Sequence, residues 1–126
     1  LEFRRVLFRS IGTLTAPTTA SSALILEAPF TAVVDRAAEL FPLIPVHSLM
    51  QNQYRSRDFI GRIHAPLFIM HGDADLIIPI HHGRDLFVLA NAPKTFKEYK
   101  GFGHLDLIDS PAYGDAVVFI RAQLRP

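Results

Sequence analysis

The residues best placed for chemistry are Asp75 and His104. Asp75 closes the segment APLFIMHGDAD, and His104 lies within GFGHLD, 29 positions later. Each follows a predicted strand, and catalytic groups of open parallel sheets gather outside the strands' carboxyl ends. A carboxylate can orient an imidazole and stabilise its cation, and histidine is a natural general base near neutral pH. The pair therefore predicts the acid and the base of nucleophilic acyl transfer.

Other groups near these two leave alternatives open. Asp73 lies in the same loop as Asp75 and could be the acid instead. Either aspartate could also cap the next helix or hydrogen-bond within its own turn. His71 is predicted to pack beside the site, and Glu27, at the end of another strand, to have a structural role.

The nucleophile is the missing part of this chemistry. The chain has no G-x-S-x-G elbow, in which a serine stands at a sharp strand-to-helix turn. The nearest candidate is Ser10, in the stretch FRSIG, where Phe8 replaces the first glycine. We therefore expect the chain alone to have little or no esterase activity. Three other serines lack an elbow context and are expected to be ordinary helix or loop residues: Ser48, Ser56 and Ser110.

Cofactors and charged partners are not indicated. His81 and His82 could suggest a metal site, but neighbouring helix residues do not face each other, so we expect them to be exposed or to cap the helix. The net charge of +1 gives no electrostatic reason to expect nucleic acid. No apolar run approaches the roughly 18 residues of a membrane-spanning helix, and membrane association of a longer protein is left open. Acyl transfer by serine, histidine and aspartate needs no metal or organic cofactor.

The elements that would position these residues alternate between strand and helix. Short apolar or β-prone runs predict three parallel strands, near residues 23–27, 66–71 and 95–100. Helical spacing between and after them predicts helices over Val33–Leu40, His82–Asn91 and Ala112–Leu124, with shorter ones within residues 47–63. Such a βαβ series predicts an α/β fold with a parallel sheet.

The first 22 residues differ in character from the remainder. LEFRRVLFRS carries three arginines among apolar residues, and a Thr- and Ser-rich stretch with Pro17 follows. We interpret residues 1–22 as an artefactual or truncated leader, and residues 23–126 as the C-terminal part of one domain. On this view the sheet is truncated, and the strand ALIL (residues 23–26) should be an exposed edge.

The motifs LILEAPFT, APLFIMHGDADLIIPIHHGRDLF, APKTF and GFGHLDL follow one another in a fixed order. From about Ala23 onward, this order resembles the C-terminal half of an α/β-hydrolase. The similar branch contains serine aminopeptidases, prolyl oligopeptidases and bud-emergence-type hydrolases. The resemblance implies a partial α/β-hydrolase fold, with Asp75 as triad acid, His104 as base and a serine before ALIL as nucleophile.

The same resemblance implies a function and a rival to it. The implied function is serine hydrolysis of a small-molecule ester or amide, with residues 31–62 lying over the active site. Apolar residues in and beside that segment favour an apolar acyl or leaving group: Phe30, Phe41, Leu43, Ile44 and Leu49. The rival is a non-catalytic α/β binding module or a degenerate hydrolase, which the missing elbow favours.

Overall fold

The structure is a computed structural model that describes residues 5–9 and 21–124. Its described strands form one parallel sheet in the order β1-β2-β3-β4, which is also their order in the chain. The strands are β1 (Arg5–Arg9), β2 (Ser21–Glu27), β3 (Leu67–Gly72) and β4 (Lys94–Tyr99). The three predicted strands are confirmed as β2, β3 and β4, and the α/β class with them.

Helices connect and cover these strands. α1 (Val33–Leu40), α2 (Val46–Leu49) and α3 (Ser56–Phe59) lie between β2 and β3, and α3 continues into a 3₁₀ turn, Ile60–Arg62. α4 (Ile80–Leu89) joins β3 to β4, and α5 (Ala112–Leu124) follows β4 after a second 3₁₀ turn, Leu107–Asp109. Among the helices of the described residues, none is long and apolar enough to cross a bilayer.

The core lies on both faces of the sheet. Leu24 and Leu26 of β2 pack with α4 on one face, whereas Ile25 packs with α5 on the other. All three are completely buried, because successive side chains of a strand point to opposite faces and helices cover both. This packing explains why the central strands β2 and β3 are continuous apolar runs.

The strand β1 differs from the sequence prediction. Val6, Leu7, Phe8 and Arg9 pair in parallel with residues 23–26, so ALIL lies between β1 and β3. The prediction that ALIL is an exposed edge is therefore wrong, because part of the predicted leader supplies it with a neighbour. The assignment of the rest of residues 1–22 to a leader stays a prediction.

Candidate active site

The structure brings Asp75 and His104 together at the carboxyl edge of the sheet. Asp75 lies in the loop after β3, and His104 lies in the loop after the neighbouring strand β4. His104 Nδ1 is 2.8 Å from Asp75 Oδ2. Because an ionised carboxylate only accepts hydrogen bonds, Nδ1 carries the hydrogen, and Nε2 remains for another group. This geometry matches the contact predicted from the sequence.

Asp75 is held rigidly for this contact. Its other oxygen, Oδ1, accepts hydrogen bonds from the backbone amides of Ile77 (3.0 Å) and Ile78 (2.8 Å). The side chain of Asp75 is fully buried. Two fixed amides thus orient the carboxylate and leave Oδ2 to His104.

Asp73 does not take this contact. Its Oδ1 accepts a 2.7 Å hydrogen bond from the backbone amide of Gly101, in the loop after β4. Two backbone bonds add to this link, from the Asp73 amide to the Tyr99 carbonyl (3.2 Å) and from the Ala74 amide to the Phe102 carbonyl (3.1 Å). Asp73 therefore joins the two loops that carry Asp75 and His104.

His104 borders an open groove. Its side chain is 13% exposed, and the preceding Gly103 donates its amide hydrogen to Asp106 Oδ1, which closes a tight turn. The groove has a volume of about 320 Å³. Besides His104, its lining residues are Ala74, Leu76, Ile77, Gly103, Leu105 and Asp106. A mostly apolar groove beside a histidine can hold the apolar part of a small molecule.

His71 packs behind Asp75, as the sequence predicts. Its Nε2 donates to the carbonyl oxygen of Ile78 (2.7 Å) and lies 3.5 Å from Asp75 Oδ2. Burial lowers the pKa of His71, which keeps the ring neutral near pH 7. Its Nδ1 has no hydrogen-bond partner within the described part of the chain. Gly83 allows this packing, because a Cβ there would lie 2.6 Å from His71 Nδ1.

Glu27 lies at the carboxyl end of β2 and contacts α5. Its Oε2 accepts a 2.8 Å hydrogen bond from the hydroxyl of Tyr113. Burial raises the pKa of Glu27, although the Tyr113 hydrogen bond and the charge of His104 oppose the shift. Burial and this carboxylate together raise the pKa of Tyr113 to about 12, so the phenol stays protonated and donates. The bond links α5 to β2, which agrees with the structural role expected for Glu27.

The serines divide into those the structure describes and Ser10, which lies outside the described residues. The Ser110 hydroxyl donates to the Leu107 carbonyl (2.5 Å) and accepts from the Ala112 amide (3.1 Å), so Ser110 caps the start of α5. Ser48 lies within α2, and Ser56 is a fully buried residue at the start of α3. No described serine follows a strand directly.

Arg36 makes contacts that the sequence did not predict. From α1, it donates to the carbonyl oxygens of Ile77 (2.7 Å) and Leu76 (3.0 Å), the residues that follow Asp75. It also forms a 2.9 Å ion pair with Glu39. The sequence around Arg36 does not indicate this long-range contact, because α1 and the loop after β3 come together only in the folded chain.

The expectation for His81 and His82 needs a correction. His81 is half-exposed, but His82 is buried and its Nδ1 lies 3.0 Å from Thr31 Oγ1. The two rings stack with centroids 4.3 Å apart, and both contact Glu39. The α1 helix packs against the start of α4 here, so a carboxylate from another element draws together two side chains that helix spacing alone would separate.

Comparison with known proteins finds one relative without a described function and one that is named as a lipase. An uncharacterized Mycobacterium tuberculosis protein, Rv2307c, is 33% identical over 98 residues, which cover 76% of this chain and 35% of that protein. The lysophosphatidylserine lipase ABHD12 of Rattus norvegicus is 29% identical over 96 residues, covering 65% of this chain and 24% of the lipase. The chain thus spans about a third or less of these relatives. No protein-family model matches it.

Solved structures identify the fold. The acetyl xylan esterase from Paenibacillus sp. R4 superimposes with a TM-score of 0.62 at 18% identity, over 82% of this chain and 38% of the esterase. The parallel sheet, the helices on both faces and this match show that the chain has the fold of an α/β-hydrolase.

Proposed function

We propose that this chain is the C-terminal part of a longer serine hydrolase, in which Asp75 and His104 are the acid and the base of a Ser-His-Asp triad. The observation that carries the proposal is the 2.8 Å contact between a fully buried carboxylate and a histidine that borders a groove. The α/β-hydrolase fold supports it, because catalytic groups of parallel sheets lie at this edge.

The mechanism follows from the orientation of the imidazole. Nε2 of His104 takes the proton of a serine hydroxyl as its oxygen attacks the substrate carbonyl. Asp75 stabilises the resulting imidazolium through Nδ1, and His104 then protonates the leaving alcohol or amine. Water, activated by the same ring, releases the acid from the acyl-enzyme. Asp75 stays ionised throughout, because its role is to orient and stabilise the ring.

The nucleophile of this mechanism is expected from a segment that precedes β2 in the chain. Ser10 follows β1 directly in the sequence, and β1 runs parallel to β2, so their carboxyl ends share the edge of the sheet that carries Asp75 and His104. This order supports Ser10 as the candidate within the chain. Against it stands Phe8, where an elbow has glycine, so a serine in another segment of the longer protein is the alternative.

An ester with an apolar acyl group is the substrate class best supported. The rat relative is named as a lysophosphatidylserine lipase, and the solved structure is an acetyl xylan esterase. The groove beside His104 is lined by Leu76, Ile77 and Leu105, of which Leu76 and Leu105 are more than 80% exposed. These side chains favour an apolar acyl chain over a charged one.

Labelling with a fluorophosphonate probe tests the proposal, because such probes react with serines that a triad activates. The longer protein should be labelled on one serine, and peptide mapping should place it before β2. His104→Ala should abolish the labelling, whereas His64→Ala, which removes an exposed histidine elsewhere, should not. Labelling that persists in His104→Ala would contradict the proposal.

The same probe distinguishes the hydrolase from its rival, a non-catalytic binding module. The absence of a G-x-S-x-G elbow favours that rival. On that alternative neither the longer protein nor the chain reacts. We expect the chain alone to show little or no p-nitrophenyl ester hydrolysis. Robust turnover that disappears in Ser10→Ala would instead identify Ser10 as the nucleophile and the chain as a working hydrolase.

A further inference from the structure

A cluster of two imidazoles and one carboxylate lies apart from the Asp75–His104 pair. Glu39 comes from the last turn of α1, and His81 and His82 come from the first turn of α4. His81 Nε2 is 2.8 Å from Glu39 Oε1, and His82 Nε2 is 3.1 Å from the same carboxylate. One ligand atom from each of the three residues lies within 4.8 Å of the other two.

Hydrogen bonds behind His82 hold its ring in position. Thr31 Oγ1 is 2.7 Å from Asp35 Oδ2, and Arg57 also binds this carboxylate. Burial opposes ionisation of Asp35, but these hydrogen bonds lower its pKa overall, so it is a carboxylate near neutral pH. A carboxylate only accepts, and the Thr31 hydroxyl must therefore donate its single hydrogen to Asp35.

Thr31 holds the ring of His82 in place. The Thr31 hydroxyl oxygen lies 3.0 Å from His82 Nδ1, and the Thr31 amide donates to the same nitrogen at 3.4 Å. The other ring nitrogen, Nε2, faces Glu39 at 3.1 Å. Nε2 is therefore the nitrogen of His82 that lies beside the carboxylate and can bind a cation there.

We propose that Glu39, His81 and His82 bind a divalent transition-metal ion of the zinc type. Imidazole ligands suit zinc rather than magnesium or calcium, which prefer oxygen. Zinc–ligand bonds of about 2.0–2.1 Å in a tetrahedron separate neighbouring ligand atoms by roughly 3.3 Å, near the observed 2.8 and 3.1 Å. The contact of His82 Nδ1 with Thr31 is of the outer-shell kind that orients metal-binding histidines.

The two histidines of the cluster differ in how firmly the surrounding residues hold them. His82 is buried and anchored, so it keeps its position, whereas His81 is half-exposed. The His81 ring lies 28° from parallel with that of His82, and it must rotate about its side-chain bonds to direct Nε2 at a shared ion. Arg36 occupies Glu39 Oε2 at 2.9 Å, which leaves Oε1 for the metal and water for the fourth position.

Calorimetric titration with ZnCl₂ tests the site on chelator-treated protein without a histidine tag. We expect one Zn²⁺ per chain in the wild type and in His64→Ala, an exposed histidine outside the cluster. His81→Ala and Glu39→Gln should each weaken binding at least about tenfold. Both positions are partly exposed, so these variants should fold, and circular dichroism checks that they do. Mg²⁺ should give no heat.

A second readout separates this site from adventitious binding. Zn²⁺ should raise the melting temperature of the wild type and of His64→Ala, and this rise should disappear in His81→Ala. Absence of Zn²⁺ binding by the wild type, or wild-type affinity in either Glu39→Gln or His81→Ala, would overturn the proposal. Because no ester is used, the result is independent of the proposed hydrolase activity.

Discussion

Asp73 and Asp75 lie in the same loop but have different contacts. They stand two positions apart in the same loop, so their spacing alone did not choose between them, and only the family resemblance favoured Asp75. In the structure, Asp75 is buried and contacts His104, whereas Asp73 is exposed and binds the Gly101 amide. The path of the loop backbone determines which aspartate contacts His104, and the local composition of the chain does not predict that path.

The two aspartates should therefore respond differently to the same substitution. In the intact protein, Asp75→Asn should lower kcat for a p-nitrophenyl ester by about 10³–10⁴-fold if Asp75 is the proposed triad acid, because an amide no longer stabilises the imidazolium. Asp73→Asn keeps an oxygen that can accept from Gly101 and should change kcat only a few-fold. Steady-state kinetics on both variants measure this, and a larger loss in Asp73→Asn would move the acid to that position.

A second residue-scale prediction concerns Asp35, which binds Arg57 and Thr31. Its pKa is lowered from the ordinary value of 3.8 in the folded state, so its ionised form stabilises the fold above pH 3.8. Asp35→Asn should lower the free energy of unfolding by about 1–3 kcal/mol at pH 7. The difference from wild type should shrink as the pH falls below 3.8, through the folded-state pKa.

Urea titrations at pH 7 and at a series of acid pH values check this dependence. Asp58→Asn is the matched control, because Asp58 forms an exposed ion pair with Arg55 and should contribute little. A stability difference for Asp35→Asn that is independent of pH would show that the carboxylate is not the stabilising form.

At the scale of elements, the helices and central strands followed from apolar periodicity. α1 and α5 have the predicted bounds, Val33–Leu40 and Ala112–Leu124. β1 was missed because its arginine-rich sequence differs from the buried runs of β2 and β3, and its pairing becomes visible only beside β2. The contact of Arg36 with the loop after Asp75 was beyond prediction for the same reason, since it joins elements about 40 residues apart.

Gly72, at the end of β3, is the glycine that this arrangement of loops requires. A Cβ at this position would lie 2.0 Å from the Phe102 carbonyl oxygen, so the loop that carries His104 could not approach. Gly72→Ala should lower the free energy of unfolding by several kcal/mol and displace His104. Gly114→Ala, in α5 with open space around it, should instead stabilise the fold by up to about 1 kcal/mol.

Thermal unfolding of both glycine variants measures the contrast directly. The prediction requires opposite signs, with a lower melting temperature for Gly72→Ala and an unchanged or higher one for Gly114→Ala. Equal melting temperatures would mean that the loop after β4 can move away from β3 without cost.

At the scale of the whole molecule, the described sheet and helices correspond to only part of the length of the chain's relatives. The chain spans 35% of its Mycobacterium tuberculosis relative and 24% of its rat relative. The motif order of the sequence was sufficient to predict the fold, because the acid and histidine loops follow the last strands in a fixed order. The contact of Glu39 with His81 and His82 was not predictable, because it requires α1 to pack against α4.

The proposed role of His104, the base of a serine hydrolase, is measured by kcat/KM for a p-nitrophenyl ester. The measurement compares the intact protein with His104→Ala and with the exposed-histidine control His64→Ala. We expect a fall of at least about 10³-fold for His104→Ala and less than about twofold for His64→Ala. Ester hydrolysis that survives His104→Ala with an unchanged kcat/KM would contradict it.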